Sequence, residues 1–88
     1  MSYDLEFTPK ATKLWKRLDS VTREQFRKKL NERLQHPRVP KDAMRFAANR
    51  YKIKLKDRGY RLVYDVDDRR IVVIVIEIGR RDEIYDNL

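Results

Sequence analysis

The chain has 88 residues, enough for one domain spanning 1–88 and not for two. Its 22 Lys plus Arg stand against 14 Asp plus Glu, giving a formal charge of +8 and a pI near 10.0. That excess self-repels in a small fold and suits a polyanionic partner, whose phosphates release counterions when neutralised. No cysteine is present and His36 is the only histidine, which excludes disulfides, thiolate zinc sites, a cysteine nucleophile and a paired-histidine nuclease.

The N-terminus lacks a signal peptide's apolar stretch, and the longest apolar run, Ile71 to Ile76, is far too short to cross a membrane. A cytoplasmic location with no membrane contact is expected. Residues 3 to 7 alternate as a half-buried strand, Tyr3-Asp4-Leu5-Glu6-Phe7. Thr8 and Pro9 then suit the N-cap and first position of a helix. Ala11, Leu14, Trp15 and Leu18 recur at the spacing of one helical face, with Lys13, Lys16 and Arg17 on the other. Asp19-Ser20 is a break with Ser20 as cap, and a second helix is predicted from Val21 to Gln35. Its buried stripe is Phe26, Leu30 and Leu34. Arg23, Arg27, Lys28 and Arg33 are read as a basic outer face, supported by a Glu24–Lys28 pair. His36-Pro37 ends the helix, His36 as a residue favoured at the negative end of the helix dipole. A connector runs to about Asn49.

Three strands follow. Tyr51 to Leu55 alternates apolar residues with Lys52 and Lys54, and Asp57-Arg58-Gly59 signals a tight turn. Tyr60 to Val66 alternates again, Asp67 to Arg70 turns, and Ile71 to Ile78 is rich enough in β-branched residues for a central strand covered on both faces. Gly79 to Leu88 is a short polar tail. The expected fold is α+β, in the order β-α-α-β-β-β. Short turns make the last three strands an antiparallel meander, so the sheet is antiparallel-dominated, with the helix pair packed on one face.

Lys52 and Lys54, two apart on a strand, share the other face, and the returning strand brings Arg61 beside them. Clustered cations repel one another, bind a phosphate well, and weaken the hold of a lysine on its proton, which suits a general base. An ordinary solvated strand face guarded by lysines reads the same way from these residues alone. Gly79-Arg80-Arg81 lets an arginine swing over the end of the sheet, where its forked donors match phosphate oxygens. Tyr85 can stack on a base or pack in the tail. Asp4, Glu6, Asp67 and Asp68 lie on separate elements and make no metal cluster, so neither metal nor cofactor is expected.

The blocks Leu14-Trp15-Lys16-Arg17-Leu18, Tyr51-Lys52-Ile53-Lys54-Leu55, Gly59-Tyr60-Arg61-Leu62-Val63-Tyr64, Gly79-Arg80-Arg81 and Ile84-Tyr85 together resemble the RelE family of toxins from toxin–antitoxin pairs, nearly end to end. The resemblance implies a RelE/ParE-like fold and an endoribonuclease that cuts mRNA in the A site of the small ribosomal subunit. There the 2′-hydroxyl of one nucleotide attacks the adjacent phosphate and the next 5′-oxygen leaves. By motif, Lys52 and Lys54 would hold the phosphate, Lys54 taking the 2′-hydroxyl proton. Arg61 would stabilise the phosphorane, Arg81 would sit by the leaving oxygen and Tyr85 would orient the nucleotide. Arg45, in the Met44-Arg45 step, would contact ribosomal RNA together with the basic helix residues Lys13, Arg17, Arg23 and Arg27. Phe46 stands where the family usually has glycine. A RelB-like antitoxin that folds as it binds would mask the basic surface. Two other readings stay open: a ParE-like toxin that poisons gyrase, and a basic RNA-binding module without catalysis.

Overall fold

The computed structural model describes residues 2–45 and 47–81. Strand β1 (Asp4–Phe7) leads into helix α1 (Pro9–Arg17) and helix α2 (Ser20–Gln35), and a 3-10 turn (Pro40–Asp42) lies in the connector. Strand β2 (Arg50–Leu55), a second 3-10 turn (Lys56–Arg58), β3 (Tyr60–Asp67) and β4 (Val72–Arg80) complete the predicted order. The strands form one sheet, β1-β4-β3-β2, with β2–β3 and β3–β4 antiparallel as expected and β1 parallel to β4. That parallel pairing makes β4 central, which is why its β-branched run is buried on both sides.

Thr8 caps α1 as predicted, its hydroxyl accepting from the Ala11 amide at 3.1 Å. At α2 the cap is Asp19, one residue before the expected Ser20, and Asp19 accepts a short hydrogen bond from the Thr22 hydroxyl. That bond from Thr22 holds the Asp19 carboxyl below the usual carboxylate range. The outer ion pair also differs from expectation: Glu24 meets Arg27, three residues on, at 3.5 Å, in place of Lys28 four residues on.

Ladder register divides the sheet into two faces. On the first, Tyr51, Ile53 and Leu55 of β2 lie across from Tyr64, Leu62 and Tyr60 of β3. Ile78, Val75 and Val73 of β4 continue the layer, and Ala11, Leu18, Phe26 and Leu30 of the helices close it. A register shift at Val63/Tyr64 lets one extra residue, Ile76, into β4. Gly79 and Arg80, expected in the tail, belong to β4, with Gly79 opposite Arg61.

Arg33 corrects the reading of α2. Its side chain is only 14% exposed and turns inward. It meets Asp42 at 2.5 Å, the Tyr64 hydroxyl at 2.9 Å and the Lys52 carbonyl at 3.1 Å. Tyr64 in turn donates to the Pro37 carbonyl at 2.6 Å. Position 33 is three residues past Leu30 and seven past Phe26, so it falls on the buried stripe, and the guanidinium is admitted there because a carboxylate, a carbonyl and a phenol oxygen accept from it.

Candidate nucleic-acid cleavage site

The second face of the sheet carries the residues that the sequence singled out. Lys54 pairs directly with Arg61, whose other neighbour is Gly79. One row back along the strands, Lys52 pairs with Val63 and Val63 with Glu77. Cross-strand neighbours stand about 5 Å apart, so Lys54 and Arg61 can reach a common phosphate. Arg81 follows β4, and its amide donates to the Gly59 carbonyl at 3.0 Å, which fixes it at the same end of the sheet. Arg80 turns to the helix side, its guanidinium 5.9 Å from the Tyr60 ring centroid. Tyr85 and Phe46 lie outside the described residues.

Three local features hold this geometry. Gly59 takes φ +66, a left-handed conformation that glycine adopts without steric cost, and so closes the β2–β3 turn in register. Arg33 bonds the Lys52 carbonyl from behind. The connector covers the first half of the exposed edge of β2 through a bridge between Ala43 and Tyr51, and Met44 N–H donates to the Arg50 carbonyl at 2.8 Å.

Electrostatically the cations fall into two groups. Several are committed to the fold: Arg50 forks onto Asp65 at 2.7 and 3.2 Å, Arg70 meets Glu6 at 2.7 Å, and Arg38 meets Asp68 at 2.7 Å. Tyr3 also donates to Asp68 at 2.7 Å, and these two bonds hold the Asp68 carboxyl below its usual range. Lys52 and Lys54, both half-buried, form no ion pair among the described residues. Arg61 is buried, at 9% exposure. Two half-buried ammonium groups beside a buried guanidinium, with no carboxylate of the described residues on either lysine, are arranged to receive an anion from outside.

The residues expected to contact ribosomal RNA are dispersed. Lys13, Arg17, Arg23 and Arg27 sit on the helices, across the sheet from the cation row, and Arg27 is engaged with Glu24 and lies 5.9 Å from the Trp15 ring centroid. Arg45 is exposed in the connector beside β2. A groove between α2 and the uncovered end of β2, lined by Lys28, Lys29, Lys54 and Lys56 together with Glu32 and Asp57, joins the surface of α2 to the site. The sequence reading missed Glu77, an acid in the middle of the cation face. Its signal was available: a lone carboxylate in a β-branched strand, one residue out of phase with buried Ile78.

Comparison with known proteins agrees with this geometry. The family profile described as the ParE toxin of type II toxin–antitoxin systems matches residues 5–85. The mRNA interferase toxin RelE of Escherichia coli K12 is 47% identical over 87 residues, which cover 97% of this chain and 92% of that protein. The crystal structure of the isolated E. coli RelE toxin superposes with a TM-score of 0.88 at 45% identity, covering 98% of this chain and 94% of that one. The toxin in the intact E. coli RelBE toxin–antitoxin complex also gives 0.88, at 47% identity, covering 90% of this chain and 96% of that one. With a toxin profile across most of its length and a RelE relative nearly half identical from end to end, the chain belongs to the RelE toxin family of type II toxin–antitoxin systems.

Proposed function

We propose that this protein is an mRNA interferase, a metal-independent endoribonuclease that cuts mRNA in the ribosomal A site and so stops translation. Lys52 and Lys54 hold the scissile phosphate, and Lys54 takes the proton of the 2′-hydroxyl as its oxygen attacks the adjacent phosphorus. Arg61 balances the charge that builds on the phosphorane, a task suited to a donor fixed in place before reaction. Arg81 stands by the departing 5′-oxygen as a charge stabiliser, since a guanidinium does not give up its proton in a protein. Tyr85 orients the nucleotide. The ribosome supplies substrate positioning, which a site without a strong base needs most. The carrying observation is the pair of lysines without ion pairs among the described residues, ranged beside Arg61 on one sheet face.

A RelB-like antitoxin is the expected partner, as in the E. coli complex, and the site of action is the cytoplasm. No described helix is long and apolar enough to cross a membrane. Primer extension on mRNA from translating ribosomes tests the reading: breaks within A-site codons are expected. Arg81→Ala and Lys54→Glu should each abolish growth arrest while the fold persists. Arrest of translation without breaks would refute the activity, and full toxicity of both variants would refute the site. Because the matching profile is described as ParE, a supercoiling assay with DNA gyrase completes the test; no inhibition is expected.

A further inference from the structure

Glu77 is 7% exposed, yet its partner across the ladder is Val63, whose own partner is Lys52, so the carboxylate belongs to the cation face. It is also the diagonal neighbour of Arg61, through the adjoining Arg61–Gly79 pair. Its ion pair is with Lys10 of α1, at 2.6 Å.

Neither end of this bridge is placed to stabilise the fold. Withdrawing a carboxylate from water is unfavourable, and a partner whose side chain is 60% exposed offsets that poorly. Lys10 lies in the first turn of α1, the positive end of the helix dipole, where a cation is disfavoured and where this helix has no acid. The bridge does have one geometric effect. It carries the ammonium of a helix residue onto the face that holds Lys52, Lys54 and Arg61, and it offsets the repulsion those cations would exert on it. An ammonium has three donors. Glu77 takes one and the exposed remainder is open to a ligand.

We infer that Lys10 is a further RNA-binding cation of this site, and that Glu77 is the positioning residue that holds it there. The inference rests on the second face being the RNA site. Two strand spacings, about 10 Å, separate β2 from β4. Held at Glu77 on the far side of that span, Lys10 is placed to take a neighbouring phosphate of the same strand and to help fix the direction in which the RNA crosses the sheet.

The test uses the full-length toxin and ribosomes programmed with a defined mRNA. Lys10→Met should raise KM about threefold or more while kcat holds. One lost contact on a single strand lowers the salt slope by about 0.7, so over a fourfold rise in salt the variant should lose about 2.6-fold less affinity than the parent. Glu77→Gln should raise KM in the same direction and add nothing in the Lys10→Met background. That double variant leaves no unpaired charge in the protein interior, so its salt slope reads the contact even if Lys10→Met alone folds poorly. Unchanged KM and salt slope in both, with Lys54→Glu inactive, would overturn the inference. So would an equal effect of Glu77→Gln with and without Lys10. Full activity of Lys54→Glu would remove the site itself, and the inference with it.

Discussion

Arg33 offers the sharpest test of how the fold supports the site. Arg33→Met keeps most of the stem and removes the guanidinium. Asp42, whose side chain is 8% exposed, then keeps a charge with no partner, and the Lys52 carbonyl loses its donor from behind. Breaking one side of a buried ion pair costs about 3–5 kcal/mol. An 88-residue domain has about 4–13 kcal/mol in total, so the variant should sit near its folding limit. With a urea slope of about 1.5 kcal/mol per molar, the midpoint should fall by about 2 M or more. Arg33→Met/Asp42→Leu leaves no charge behind and should regain most of the loss. The Tyr64 hydroxyl stays satisfied in both variants through the Pro37 carbonyl. Urea unfolding of the four proteins of this double-mutant cycle measures the coupling directly. A loss below 1 kcal/mol for Arg33→Met, or a double variant that shows the simple sum of two large losses, would refute the assignment of Arg33 as a buried staple.

Two further outcomes follow from local chemistry. Ile71 takes φ +56 at the end of the β3–β4 turn, a conformation that is costly for a β-branched residue and tolerated by asparagine. Ile71→Asn should therefore stabilise the domain by about 1 kcal/mol, seen as a rise of about 4–8 °C in Tm; a fall would show that the exposed side chain contributes more packing than its conformation costs. Burial pushes the Tyr64 phenol above its ordinary value of 10.0, against a weaker opposite pull from the hydrogen bond with Arg33. The folded state thus holds this proton more tightly than the unfolded state, so its stabilising contribution is complete below pH 10 and declines as the pH rises toward the folded value. Urea midpoints between pH 8.5 and 11 should fall more steeply for the parent than for Tyr64→Phe, and parallel curves would refute the shift.

What the sequence made legible, and what it hid, follows from the range of the interactions involved. Strand alternation is local, so the residue pattern alone puts Lys52, Lys54 and Arg61 on one face, and the ladder pairs Lys54 with Arg61 as that placement requires. The cap at Thr8 and the turn at Gly59 are local too, and both stand. The parallel contact of β1 with β4 was not legible, because nothing within either segment encodes which sheet edge a crossover returns to. Arg33 and Glu77 failed for a different reason. Arg33 was judged by the polarity of its type, when the helical period already put it on the stripe of Phe26 and Leu30, and Glu77 was passed over inside a β-branched run, opposite in phase to Ile78. A charged residue in a buried register costs too much to be accidental unless a partner compensates it. Each such position is therefore a prediction of a partner: Asp42 for Arg33, which fixes the connector against β2, and Lys10 for Glu77, which ties α1 to the cation face. These two buried charges are thus the ones that link the helices and the connector to the strands bearing Lys52, Lys54 and Arg61.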